Sequence, residues 1–242
     1  MQEYLGEAAK KYGQTRGKQF LLIPGLLRHI PRTAAGCLLD IGCGPGNLYP
    51  FVRGLGYDYL GIDISKDMVA RAQNTYPDAT FSVASATDFS SRIKGPFDVV
   101  LISMLFPSLE SLDMITKILK ESWLVTREGG KIVIGVTHPC FDHYMQSFLF
   151  QRKNVETNFS GYFDSGAYMR ITQDIKEGTF IFEDYHWTLS DYINALHDSG
   201  LTLEKVDECY PDSRVQEDSD YFNKKASIPT YLVLVAKPQN KP

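Results

Sequence analysis

The chain has 242 residues, of which 43% are hydrophobic, 12% aromatic and 22% charged, a composition typical of one large or two small folded domains. Its formal net charge of −4 gives it no general attraction to nucleic acid or to an acidic membrane surface. No apolar run reaches the length needed to span a bilayer, so we expect no membrane insertion.

The cysteines and the N-terminal stretch both bear on the compartment. Residues 1–20 contain no apolar signal core and no cleavage pattern of small residues. The four cysteines are scattered, with no Cys-x-x-Cys pair that would indicate a zinc site or a redox motif. We therefore expect a cytoplasmic protein with reduced thiols and no bound metal.

Residues 1–33 are predicted to form an N-terminal helical segment. Up to residue 32 they carry six Lys and Arg against two Glu. A solvated helix explains this mild excess of positive charge better than an RNA-binding track does.

From Cys37 to Val136 short apolar runs alternate with helix-like segments. The runs are nearly continuous rather than alternating, as strands buried on both faces require, and they occupy residues 37–41, 59–64, 80–84, 98–103 and 131–136. A helix with one apolar stripe is predicted between the last two runs. This alternation predicts a parallel sheet with helices on both faces.

The first of these runs leads into the stretch LLDIGCGPGN, residues 38–47, which contains three glycines at alternate positions. A glycine-rich turn between a strand and a helix lets a ligand approach the backbone. The dinucleotide pattern G-x-G-x-x-G fails here because Asn47 stands at its third glycine. Asp40 would also repel a pyrophosphate, and it favours a ligand with a sulfonium and an ammonium group.

Residues 138–187 depart from this α/β pattern. They are rich in aromatics, and residues 167–187 predict a hairpin. The segment is interpreted either as a lid over a small apolar acceptor or as a permanent cover for the sheet edge. After it, a capping box from Thr188 to Asp191 predicts a helix that ends before Gly200, and two further strands follow.

The sequence LLDIGCGPGN resembles motif I of the class I S-adenosylmethionine-dependent methyltransferases, with its D/E-x-G-x-G-x-G pattern. Three further stretches are similar in register: YLGIDIS, FDVVLISMLF and REGGKIVIGV. The resemblance implies one α/β domain over residues 1–242, with a doubly wound, mostly parallel, seven-stranded Rossmann-like sheet, helices on both faces and an inserted lid at 138–187. It further implies S-adenosylmethionine as cofactor and S-adenosylhomocysteine as product.

The resemblance also implies roles for individual residues, with Asp40 orienting the methionine end of the cofactor and Asp63 holding the ribose hydroxyls. Gly42, Cys43 and Gly44 are implied to form the floor of the site, and Ile64 is implied to pack on the adenine. Ser103 is implied to line the channel near the sulfonium together with Met104. Tyr12 either closes over the methionine end or packs the N-terminal helix on the sheet.

The adenine amino group has two candidate partners. Where similar enzymes often have Gly-Asp-Ala, this chain has Ala84, Ser85 and Ala86. Ser85 can make a weaker contact than an aspartate, so either Asp88 substitutes or the backbone at Ala86 holds the adenine. We favour the backbone, which leaves Asp88 as a first-turn helix acid.

Methyl transfer is an in-line displacement, so the acceptor side must align its substrate and, where needed, remove a proton. His138 follows the fifth strand, at the rim where open α/β sheets bind ligands, and His186 precedes the return to the sheet. Both are candidate catalytic residues; the alternative for His138 is a capping or core histidine.

The function predicted is methyl transfer to a small, planar or apolar acceptor, with a resemblance to the quinone-biosynthesis branch. The fourth-strand motif is LISMLF and not the Asn/Asp-Pro-Pro-Tyr/Phe of methyltransferases that act on base amines. This weakens the case for a nucleic-acid acceptor. The alternatives are an RNA or protein methyltransferase and a regulatory module that binds the cofactor without turnover.

Overall fold

Seven strands form one central sheet in this computed structural model, which describes residues 17–140, 154–175, 178–210 and 229–239. The strands are β1 (Gly36–Ile41), β2 (Tyr57–Asp63), β3 (Thr80–Val83), β4 (Phe97–Ser103), β5 (Thr126–Thr137), β9 (Leu201–Glu208) and β10 (Tyr231–Pro238). Their order is β3-β2-β1-β4-β5-β10-β9. The first five pair in parallel, whereas β10 runs antiparallel to both of its neighbours.

Helices cover both faces of this sheet, as the sequence predicts. Side chains of the central strands alternate between two apolar clusters: Leu38 lies in one and Leu39 in the other. One face packs against α4 (Leu112–Val125) and α5 (Leu189–Asp198). The other face packs against α1 (Ile23–Leu27), its preceding π-helical turn Lys18–Leu22, α2 (Tyr49–Val52) and α3 (Lys66–Thr75). The observed architecture is the predicted doubly wound fold.

Side-chain caps fix where the helices begin. The capping box predicted for α5 is present: the Asp191 N–H donates to Thr188 Oγ1 at 3.1 Å, and the Thr188 N–H donates to Asp191 Oδ2 at 2.8 Å. Gly200 follows α5 with a φ of +73°, a left-handed conformation that glycine adopts without steric cost.

The fifth strand differs from its predicted start at residue 131. It begins at Thr126 and includes the two glycines that the sequence marks as a break. The pairing register with β4 shifts between Phe97 and Val99, which accommodates this irregular beginning.

The insert contains a small antiparallel sheet of its own. Its strands are β6 (Asn154–Thr157), β7 (Tyr168–Ile175) and β8 (Gly178–Tyr185), and β7 and β8 form the predicted hairpin. Phe159 and Met169 are buried in its core. The hydroxyl of Tyr162 accepts a hydrogen bond from the Leu189 N–H at 3.1 Å, which ties the insert to the start of α5.

Candidate functional site

The glycine loop follows β1 and is held against the end of β2. Gly42, Gly44 and Gly46 all have positive φ, at +71°, +54° and +78°. These left-handed values are strained for residues with a side chain, which explains why three glycines alternate here. The N–H groups of Gly42 and Cys43 donate to the carbonyl of Ile62 at 2.8 and 3.0 Å.

Asp63 closes the loop from the end of β2. Its Oδ2 accepts from the Gly44 N–H at 2.9 Å, and its Oδ1 accepts from the Ser65 N–H at 2.8 Å. These two hydrogen bonds orient the carboxylate beside the loop, and a carboxylate acts only as a hydrogen-bond acceptor. The residue predicted to hold a ribose therefore also braces the loop, a role that its position in the sequence did not reveal.

Asp40 is a buried carboxylate at the end of β1, and it is only 1% exposed. The Tyr59 hydroxyl donates to its Oδ2 at 2.6 Å. Its Oδ1 is buried and has no hydrogen-bond partner among the described residues. Burial raises the pKa of Asp40 to about 7, and the negative charge of Asp63 adds to this, while the Tyr59 hydrogen bond opposes it.

An open cleft of about 450 Å³ lies beside the loop, part of it open to solvent. We call it the glycine-loop cleft. Its walls are contributed by the N-terminal segment, the end of β1, the loop and the end of β4, and its lining residues are Lys18, Leu22, Ile23, Asp40, Gly42, Cys43, Gly44, Asn47, Leu48, Ser103 and Met104. Six of the sequence-predicted residues thus meet in one cleft: Asp40, Gly42, Cys43, Gly44, Ser103 and Met104.

Met104 enters the cleft with an uncommon backbone conformation. Its φ is +57°, and it is the one residue other than glycine with a positive φ in the described part of the chain. The Met104 N–H donates to the Gly135 carbonyl at 2.7 Å, which fixes this turn at the end of β4. Such left-handed residues persist where the surroundings hold them, and they cluster at functional sites.

The residues predicted for the adenine lie outside the glycine-loop cleft, beyond Asp63. Ile64 is half-buried, Ala86 is buried and Asp88 is exposed. The Ser85 Oγ accepts from the Thr87 N–H at 3.3 Å, so this hydroxyl stabilises the local turn.

His138 is buried, with protein partners on both ring nitrogens. The Cys140 N–H donates to its Nδ1 at 3.1 Å, which places the ring proton on Nε2, and Nε2 lies 3.1 Å from Glu208 Oε1. His138 does not line the glycine-loop cleft.

His186 is fully buried inside the insert. Its Nε2 donates to the Tyr162 carbonyl at 2.7 Å, and its ring packs on Phe159 with a centroid separation of 4.7 Å. The structure does not bring the two histidines into the cleft with Asp40. Tyr12 lies outside the described residues.

Two residues of the site were missed by sequence reasoning. Tyr59 could have been found, because parallel pairing of β1 and β2 places Leu38 opposite Tyr59 and Asp40 opposite Gly61, which puts Tyr59 on the same face as Asp40. Lys18 gave no signal, since it lies far from the loop in sequence and reaches the cleft only through the packing of the N-terminal segment.

Comparison with known proteins agrees with this geometry. Residues 39–134 match the family described as "Methyltransferase domain". An uncharacterized methyltransferase of Staphylococcus carnosus is 22% identical over 187 residues, which are 77% of this chain and 80% of that protein. N-demethylindolmycin N-methyltransferase of Streptomyces griseus is 25% identical over 181 residues, 72% of this chain and 73% of that protein.

A crystal structure of an S-adenosylmethionine-dependent methyltransferase from Mesorhizobium loti shares the fold. It has a TM-score of 0.65 and 22% identity, and the alignment covers 88% of this chain and 95% of that one. None of the helices in the described ranges is long and apolar enough to cross a membrane.

The residues present fit S-adenosylmethionine on chemical grounds. The buried Asp40 Oδ1 suits a cationic donor, and the half-buried Asp63 is an acceptor next to a loop of glycines. Residues 39–134 thus match a methyltransferase domain, the chain has the fold of S-adenosylmethionine-dependent methyltransferases, and the chemistry of the loop fits S-adenosylmethionine as the cofactor.

Proposed function

We propose that this enzyme methylates a small, planar or apolar acceptor that enters through the glycine-loop cleft. The observation that carries the proposal is the cleft itself. Its apolar wall of Leu22, Ile23, Leu48 and Met104 supports a small apolar acceptor. One relative is named N-demethylindolmycin N-methyltransferase, an activity on a small acceptor.

The cofactor's amino-acid end is assigned to the charged part of the same cleft. Asp40 offers a carboxylate oxygen to the ammonium group, and Lys18 offers a positive charge to the carboxylate. Gly42, Cys43 and Gly44 form the floor, because a left-handed glycine turn lets the ligand approach the backbone closely.

The adenosine end is assigned to the far side of Asp63. Asp63 accepts hydrogen bonds from the ribose hydroxyls, and the N–H groups of Gly44 and Ser65 orient its carboxylate for this role. Ile64 packs on the adenine, and the backbone at Ala86 holds its amino group. The use of Ser85 Oγ in the local turn and the exposure of Asp88 favour this backbone contact over a side-chain contact.

When bound, the cofactor supplies a methyl group activated by a sulfonium. The protein's task is then to align the acceptor with that methyl group and to exclude water. Ser103 and Met104 line the cleft at the end of β4, where they separate the cofactor from the acceptor. The insert at 138–187 remains our proposed lid over the acceptor.

The roles of His138 and His186 stay predictions. Nε2 of His138 lies 3.1 Å from the exposed Glu208 and Nδ1 accepts from the Cys140 N–H, so His138 would have to exchange one of these partners to orient or deprotonate the acceptor. His186 is held inside the insert, and it would act by placing the insert over the acceptor.

The test is transfer of a radiolabelled methyl group from S-adenosylmethionine to three fractions: a small-metabolite extract, bulk RNA and bulk protein. We expect label in the metabolite fraction, and none with the Gly44→Val variant. Label in RNA or protein alone would refute a small acceptor. S-adenosylhomocysteine binding without transfer to any fraction would indicate a regulatory module.

A further inference from the structure

Asp40, which lines the glycine-loop cleft, forms a buried pair with Tyr59. Both side chains are almost fully buried, at 1% and 7% exposure, and their oxygens are 2.6 Å apart. Burying a carboxylate is costly unless its oxygens are satisfied. Among the described residues, only Oδ2 of Asp40 has a hydrogen-bond partner. Oδ1 has none, and Asp40 itself lines the cleft.

We infer that Tyr59 is a positioning residue for the cofactor: its hydroxyl holds Oδ2 so that Oδ1 is kept for the ligand's ammonium group. This inference rests on the function proposed above. A carboxylate can rotate about its terminal torsion, which is broad and roughly two-fold. A short hydrogen bond from a buried ring stops that rotation, so the carboxylate does not have to be ordered when the ligand arrives.

The surroundings of Tyr59 show why it can hold this position. Its ring packs against Tyr49 at a centroid separation of 5.1 Å and against Phe81 at 5.6 Å. Burial and the nearby Asp40 charge raise the pKa of Tyr59 well above its ordinary value, so the phenol keeps its proton and acts as the donor.

Binding of the ammonium group should then depend on pH. Asp40 accepts that group as a carboxylate, and burial raises the pKa of Asp40 to about 7. The affinity should rise as the pH increases toward 7, because less work is needed to remove the proton. Removal of the Tyr59 hydroxyl takes away an interaction that lowers this pKa, so the rise should move to higher pH.

The other charged or titratable groups near Asp40 are Asp63, Cys43 and Lys18, with Tyr49 next to Tyr59. Asp63 acts on Asp40 through its charge, and it raises the pKa of Asp40. Burial raises the pKa of the Cys43 thiol well above its ordinary range, so Cys43 stays neutral. Lys18 lines the cleft, and the partners of Asp40 in β1–β2 and β1–β4 pairing are the uncharged Gly61 and Leu101. Tyr49 acts on Tyr59 and is itself held as a phenol, since burial raises its pKa.

The chain offers a matched control for Tyr59→Phe. The Tyr49 hydroxyl donates to Asp78 at 2.8 Å, so Tyr49→Phe removes a hydroxyl from the same aromatic cluster without touching Asp40. Two ligands complete the design. S-adenosylhomocysteine carries the ammonium group, whereas 5′-methylthioadenosine has the same nucleoside and lacks the amino-acid end.

Calorimetric titration of the wild type and both variants between pH 5.5 and 7.5 tests the inference. At pH 7 we expect Tyr59→Phe to weaken S-adenosylhomocysteine binding about tenfold and to leave 5′-methylthioadenosine binding within about twofold. Its affinity should also rise at higher pH than that of the wild type, while Tyr49→Phe should follow the wild type.

Two results would overturn the positioning role: equal losses for both ligands, or equal effects of both variants. An unshifted pH profile of Tyr59→Phe would do the same. Melting curves of the unliganded variants identify a loss that comes from unfolding, and the ratio between the two ligands is independent of the folded fraction. Failure of the wild type to bind either ligand would instead refute the proposed cofactor site.

Discussion

Replacing Asp40 by Asn should change how the stability of the unliganded protein depends on pH. In the unfolded chain Asp40 has its ordinary pKa of 3.8, whereas burial raises the pKa to about 7 in the fold. At a pH below 3.8 Asp40 is neutral in both states and does not change the free energy of unfolding. Between these values the fold must hold a proton that the unfolded chain releases, so stability falls as the pH rises. At a pH above 7 this loss of stability is complete.

The size of the effect follows from the two values. Each pH unit inside this window costs about 1.4 kcal/mol of unfolding free energy, so the two units from pH 5 to pH 7 cost about 3 kcal/mol. The Asn variant does not titrate. Its carbonyl can still accept from Tyr59, and its buried NH₂ adds a cost of about 1–3 kcal/mol that does not depend on pH.

Urea unfolding of the wild type and Asp40→Asn at pH 5 and pH 8 measures this difference. We expect the wild type to lose about 3 kcal/mol more than the variant between the two pH values. Asp58→Asn, which removes an exposed carboxylate from the neighbouring strand, is the control. Parallel pH dependence of wild type and Asp40→Asn would refute the argument that Asp40 is a costly buried acid.

Four further outcomes are expected. Asp63→Ala should weaken S-adenosylhomocysteine binding by about 1.5–3 kcal/mol in calorimetry, because it removes a charged acceptor; unchanged affinity would place the ribose elsewhere. Gly44→Val should stay folded by circular dichroism and bind no cofactor, and normal binding would mean that the loop is only a turn. Met104→Gly should be about 1 kcal/mol more stable in urea than Met104→Ala, because glycine tolerates the positive φ; the opposite order would show that no strain is held there. His138→Gln should lower turnover with little change in cofactor affinity, whereas a lower melting temperature with normal turnover would make His138 structural.

Local patterns in the sequence were enough to predict strands β1 to β5 and the helices between them. Apolar runs such as residues 98–103 are short and uninterrupted, and they became strands buried on both faces. The Thr188–Asp191 capping box and the hairpin of the insert are also local features, and both are confirmed. The residues that specify each of these elements lie within a few positions of it in the sequence.

The site depends on contacts between segments that are distant in sequence. Asp40 was predicted to face the ligand, but its pKa is raised by the depth of its burial, and the hydrogen bond from Tyr59 that opposes this rise comes from another strand. Lys18 reaches the cleft from the N-terminal segment. Periodicity fixes which face of a strand a residue occupies, but it does not say which helix packs on that face.

The place of β10 in the sheet bears on how the protein folds as it is synthesised. Strands β1 to β5 pair with one another, so this part of the sheet can assemble before β9 and β10 are made. Among the described strands, β9 pairs with β10, which is made after it. Until Tyr231–Pro238 has left the ribosome, the antiparallel edge of β5 stays unpaired, and an unpaired edge promotes aggregation. Nascent chains arrested before β10 should therefore depend on chaperones far more than the finished protein does.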